Sequence, residues 1–187
     1  MRKREIKNEG FAWFRAIGIA ILVVILVRIF IIGNYIVDGP SMQPSLNNGD
    51  RLLVNKMSYR LGQPHHFDVI IFRATKNVDY VKRVIGLPGD SIRYTGDQLY
   101  INDRPIAEPY LAAYRRQMLG GQQLTWDYTL KSLTGVSKVP KGELWVMGDN
   151  RQKSVDSRRF SFVSEKRVIG RVELRYWPLK QFGRITN

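Results

Sequence analysis

Apolar and polar positions divide this chain into two parts. From Phe11 to Gly33 almost every residue is apolar (FAWFRAIGIAILVVILVRIFIIG), with Leu, Ile and Val covering every face of a helix rather than one stripe. A helix of 23 residues is about 34 Å long, against a hydrocarbon core of roughly 30 Å, so the pattern predicts one N-terminal transmembrane helix over 11–33. Arg15 and Arg28 lie towards its two ends, where they can snorkel. They leave a short uninterrupted apolar core, Ala16 to Val27. A cleaved leader would close on a small-x-small site, whereas this run continues into Ile31-Ile32-Gly33-Asn34-Tyr35.

After the anchor the period changes. Short runs rich in β-branched and aromatic residues predict strands at 51–55, 68–73, 80–85, 91–94, 98–102, 142–147 and 168–177. Turn signals such as Asn47-Asn48-Gly49-Asp50, Pro88-Gly89-Asp90 and Thr95-Gly96-Asp97 separate them. The fold class expected is mostly β, an antiparallel β-sheet domain over 34–187. The stretch of about 108–140, with Gly120-Gly121 and weak periodicity, reads as a small inserted cap.

Composition narrows the chemistry. The 187 residues include no cysteine and two histidines, which excludes a disulfide framework, a thiol nucleophile and a Cys-ligated metal. His65 and His66 are adjacent and would point to opposite faces of an extended segment, so no metal site is expected. The formal charge is +14, which fits nucleic acid, anionic lipid or an acidic envelope polymer. Part of it lies in the tail 1–10, where Arg2, Lys3, Arg4 and Lys7 predict a cytoplasmic N-terminus and a domain outside the membrane.

Four segments carry candidate chemistry. Gly39-Pro40-Ser41-Met42-Gln43-Pro44-Ser45-Leu46 holds a serine between conformational restraints. In Asp79-Tyr80-Val81-Lys82-Arg83-Val84-Ile85-Gly86-Leu87-Pro88-Gly89-Asp90 a lysine interrupts an apolar strand. Alternation places it with Tyr80 and Val84, opposite Val81, Arg83 and Ile85. Met147-Gly148-Asp149-Asn150-Arg151-Gln152-Lys153-Ser154-Val155-Asp156-Ser157-Arg158 is dense in small polar and charged groups just past a strand. Asn48 to Asn55 reads as turn-to-strand scaffolding.

In this order, behind one anchor, the segments resemble the type I signal peptidases of peptidase family S26, membrane-anchored serine proteases that remove signal peptides. The short length and single span are similar to the Gram-positive branch. The resemblance implies Ser41 as nucleophile and Lys82 as general base, with no cofactor. At a pKa of about 10.4 only around one lysine in a few thousand is neutral at pH 7; lowering the pKa by about three, roughly 4 kcal/mol, makes the free amine abundant. Burial can do this. Ser154 matches the serine that orients the lysine. Asp156 with Arg158, and Asp149 with Arg151, would pair at two-residue spacing to brace the site. A bare carboxylate beside Lys82 would oppose catalysis, so Asp156 is expected to be neutralised by arginine. The oxyanion would meet the Ser41 backbone N–H.

Three positions depart from the family pattern: Gly39, where some members have a hydroxyl donor; Pro40; and Ser161-Phe162, where a glycine often follows Phe160. By family position Val37, Met42, Leu46, Tyr80 and Val81 would line shallow pockets for small residues, giving Ala-x-Ala specificity to an extended substrate added as a strand. The implied partners are signal-peptide-bearing preproteins, the phospholipid membrane and the secretion translocon, with no nucleic acid. Three rivals share some features: a self-cleaving repressor-type protease, a catalytically idle relative that binds precursors, and a basic polymer-binding protein. The anchor and the lack of a DNA-reading helical domain argue against the first, and Ser41 and Lys82 together argue against the second. The third would bind nucleic acid or acidic wall polymers with an affinity that falls steeply with salt and is unchanged by Ser41→Ala.

Overall fold

Alternating apolar residues pair into strands because each strand buries one face against its neighbours. The computed structural model describes residues 2–118 and 122–185. Gly120 and Gly121, read above as insertion signals, lie outside the described residues. Helix α1 (Arg2–Phe30) precedes eleven strands: β1 (Ile32–Ile36), β2 (Arg51–Asn55), β3 (Val69–Thr75), β4 (Val78–Gly86), β5 (Ile92–Thr95), β6 (Gln98–Ile101), β7 (Arg104–Ile106), β8 (Tyr128–Thr129), β9 (Glu143–Met147), β10 (Val163–Ser164) and β11 (Val168–Trp177). Among the described residues these form an antiparallel seven-stranded sheet, in the order β1-β2-β11-β3-β4-β9-β10, and a four-stranded sheet, β7-β6-β5-β8.

The N-terminal expectation is corrected. Among the described residues no helix is long and apolar enough to cross a membrane. Arg15 and Arg28 bound the apolar stretch, and the helix stops at Phe30, so Gly33 belongs to β1 instead. β1 pairs with β2 from Ile32↔Asn55 to Ile36↔Arg51.

The region of about 108–140, expected as a small inserted cap, packs into the core shared by the two sheets. The small sheet starts at Ile92, and Tyr94, Leu99, Ile101, Tyr128, Leu130 and Val139 share one core with Ile85, Trp145 and Met147 of the large sheet. Two tight hairpins shape the small sheet: Gly96-Asp97 and Asn102-Asp103 all have positive φ, and each pair joins adjacent strands as a two-residue turn.

Strand β4 separates two further apolar clusters. Val81 packs with Val37, Met42, Leu46, Leu52 and Ile71 on one side, and Tyr80 with Ile70, Phe72, Val84 and Val146 on the other. Strand β9 pairs with β4 only from Arg83 onward, Arg83 facing Met147. Val78 to Lys82 pair with β3 alone among the described residues, which leaves their other edge open.

Candidate active site

The open edge of β4 ends at Lys82, and the segment after β1 brings Ser41 to it. Lys82 Nζ lies 2.8 Å from Ser41 Oγ. The serine is held by its backbone. Asn150 N donates to the Ser41 carbonyl at 3.0 Å, Asn150 Nδ2 to the Pro40 carbonyl at 3.2 Å, and Gly39 N to Asn48 Oδ1 at 2.8 Å. Gly39 has φ +93°, a conformation that favours glycine over residues with a side chain. Gly148 is required for a different reason. A Cβ there would fall 2.5 Å from the Ser41 carbonyl oxygen and closer still to Ser154 Oγ, so this strand end reaches the nucleophile loop only without a side chain.

Lys82 is 3% exposed. Burial lowers its pKa to about 8, against the opposing pull of the Asp156 and Asp149 carboxylates. At that value roughly one amine in ten is neutral at pH 7, enough for a base.

Asp156 and Arg158 pair as predicted, with Nε–Oδ1 and Nη2–Oδ2 distances of 2.8 Å each. The backbone is not extended, however. Asp156 caps the short helix α2 (Ser157–Phe160) and accepts from Arg158 N, while its Oδ2 also accepts from Gly148 N at 3.0 Å. Burial raises the Asp156 pKa, but the Arg158 bonds and charge outweigh it and hold the carboxyl below its usual range. Ser154 Oγ is buried and forms no hydrogen bond of normal geometry, to Lys82 or otherwise. It does face the Asp156 carboxylate and helps hold it charged.

The expected Asp149–Arg151 pair is absent. Asp149 takes a bidentate pair from Arg83, at 2.9 and 2.8 Å. Arg151 turns the other way and pairs with Glu108, also contacting Tyr94 Oη at 2.8 Å and Thr125 Oγ1 at 3.0 Å. Its Nε donates to the Gly148 carbonyl, and Arg158 Nη2 donates to the Arg151 carbonyl. Sequence reasoning missed Arg83, Glu108, Tyr94 and Tyr110. The available signal was an arginine beside Lys82 in an otherwise apolar strand, and a lone glutamate between Ala107 and Pro109.

A groove of about 280 Å³ runs past the dyad, lined by residues 35–41 on one wall and 79–82 on the other, with Leu52, Ile71, Lys153 and Val155. Val37, Tyr80 and Val81 line it as expected. Met42 and Leu46 do not: both are fully buried in the cluster beneath Val37, Leu52 and Ile71, so they support the groove rather than face it.

Comparison with known proteins identifies the family. Residues 10–177 match the family described as signal peptidase, peptidase S26. Signal peptidase I of Bacillus caldolyticus is 48% identical over 182 residues, covering 97% of each chain. Signal peptidase IB of Staphylococcus aureus is 39% identical over 185 residues, covering 97% of this chain and 96% of the other. The crystal structure of a signal peptidase I from Enterococcus faecalis is 41% identical, with a TM-score of 0.55 over 58% of this chain and 95% of that one. With its Ser41–Lys82 pair, its three ordered motifs and a match covering most of its length, this chain belongs to the signal peptidase family, peptidase S26.

Proposed function

We propose that the protein is a membrane-attached serine endopeptidase that removes N-terminal signal peptides from secreted preproteins, cutting after small residues of the Ala-x-Ala type. The observation that carries this reading is the 2.8 Å approach of Lys82 Nζ to Ser41 Oγ at a buried lysine whose pKa lies near 8. Neutral Lys82 takes the hydroxyl proton as Ser41 Oγ attacks the scissile carbonyl. The resulting oxyanion is met by the Ser41 N–H. Lys82 then gives the proton to the leaving amine, an acyl-enzyme remains, and water activated by the same amine releases it. Asp156, Arg158 and Arg151 brace the Gly148 strand end that meets the nucleophile loop, Asp149 is tied to Arg83, and Ser154 packs against Gly148, none of them carrying protons.

The open edge of Val78 to Lys82 supports an extended substrate paired as an added strand. Val37 and Val81 narrow the groove on one face, which suits small side chains there. Membrane attachment through α1 is supported by its exposed Phe11, Trp13, Phe14, Ile17 and Leu22. Arg2, Lys3, Arg4 and Lys7 at the start of α1 suit contact with anionic lipid headgroups. Preproteins delivered by the translocon would then meet Ser41 close to the lipid surface.

Full-length protein in detergent should cleave a preprotein after its Ala-x-Ala site, and Ser41→Ala or Lys82→Ala should each lose nearly all rate. Full activity in either variant would sink the mechanism. The protein should sediment with vesicles of anionic phospholipid; protein left wholly in the supernatant would refute the membrane attachment.

A further inference from the structure

The groove has a neighbour that small-residue specificity does not use. A second cavity of about 300 Å³ opens beside it, and the two share Tyr80 and Val155 as lining. Its walls are largely apolar and aromatic, with Thr75 and Arg167 as the polar members. Phe72, Tyr80 and Phe160 form a three-ring cluster with centroids 6.1 to 6.5 Å apart, and Ala74, Phe162 and Val163 add to the apolar lining. Val155 at the junction is 46% exposed, an apolar side chain left open to solvent where the two spaces meet.

The sheet assigns this cavity an occupant. A strand added to the open edge of β4 lies in the plane of the sheet, so its successive side chains point to opposite faces. One face carries Val37, Leu52, Ile71 and Val81, in one apolar cluster. The other carries Phe72, Tyr80 and Phe160, in a different one. A substrate whose two small residues occupy the Val37 face must send the residue between them to the Tyr80 face.

We infer that the cavity bounded by Phe72, Tyr80, Val155 and Phe160 is a specificity pocket for the central residue of the Ala-x-Ala site, and that it selects a large apolar or aromatic side chain. This rests on the reading that the groove takes an extended peptide with its small residues on the Val37 face. A ring or branched aliphatic chain would displace water from an apolar space, and glycine would leave it unfilled. A carboxylate would be desolvated against three rings, and the Arg167 guanidinium in the lining already donates to the Arg73 and Ala74 carbonyls.

The test is a set of otherwise identical peptides with Gly, Leu, Phe or Asp at the central position, cleaved by the full-length protein in detergent. The Phe and Leu peptides should exceed the Gly peptide in kcat/KM by about tenfold or more, and the Asp peptide should be the poorest. In Val155→Trp, whose indole would close the pocket mouth, the Phe-to-Gly ratio should fall towards one. Ala74→Phe, filling the cavity from another wall, should lower the same ratio. Cleavage of all four peptides at equal rates, or ratios unchanged in both variants, would overturn the pocket while leaving the peptidase reading intact. No cleavage of any Ala-x-Ala peptide would instead overturn the reading on which it rests.

Discussion

Lys82 and Arg83 are neighbours in sequence, on opposite faces of β4, and both are buried cations, 3% and 0% exposed. Their surroundings differ in one respect. Arg83 meets the Asp149 carboxylate through two bonds, donates to the Phe67 carbonyl at 3.0 Å, and lies over the Tyr110 ring at 3.9 Å. Burial works to lower its pKa, but the Asp149 charge and bonds more than offset this and raise it. Lys82 has a serine hydroxyl and a tyrosine ring 5.1 Å away, and the carboxylate nearest in effect, Asp156, is tied to Arg158. The first cation is fixed in its charged form; the second is left poor enough in partners to lose its proton. Burial alone therefore does not make a base. What matters is whether a counter-charge follows the cation inside.

Breaking the paired side should have the largest effect on stability. Arg83→Met leaves Asp149 buried without its partner and should cost about 3–5 kcal/mol of unfolding free energy, read by chemical denaturation. An unchanged midpoint would mean that Asp149 is neutralised from elsewhere.

The unpaired side predicts the reverse. Lys82 has a folded pKa of about 8 against 10.5 for the free side chain. Below pH 8 the charged form is buried and its full cost weighs on the fold; above 10.5 the amine is neutral in both states and the cost is gone. Wild-type stability should thus gain from this group as pH rises from about 8 to 10.5. Lys82→Met should abolish cleavage yet raise stability at pH 7 by about 2 kcal/mol, with no such rise at alkaline pH. A destabilised Lys82→Met would show that the lysine serves the fold.

A smaller effect comes from Ser161, in the turn after the site motif. Its φ of +67° and ψ of −139° fall in a region that glycine tolerates and other residues do not. Ser161→Gly should gain about 1 kcal/mol, a rise of a few degrees in Tm. No rise would mean that neighbouring contacts hold the turn without strain.

The difference between the two cations was half legible in the sequence. Alternation placed Lys82 and Arg83 on opposite faces, and the longer strands carried enough β-branched residues to be read near their observed limits. β7, β8 and β10 have two or three residues each, too few to show a period. β1 was hidden because it continues the apolar run of α1.

Partner choice was the harder part. Asp156 and Arg158 are close in the chain, so spacing found them, even though the backbone between them turns rather than extends. Asp149 has Arg151 equally near but pairs with Arg83, because the β4–β9 register sets Arg83 opposite Met147. Arg151 is then claimed by Glu108, 43 residues earlier, in a segment whose weak periodicity suggested only a cap. Such contacts depend on how the two sheets share a core, which no local pattern encodes. The groove shows the same limit: Val37 and Met42 are similar in sequence terms, yet one lines the cleft and the other lies wholly beneath it.

The central claim, that Lys82 works as a free amine because its burial goes uncompensated, is tested most directly by the pH dependence of kcat/KM on an Ala-x-Ala peptide. Because the neutral form is the active one, the rate should climb with pH along an acid limb whose apparent pKa is near 8, and level off above it. A limb near 10, or a rate independent of pH between 7 and 9, would contradict it.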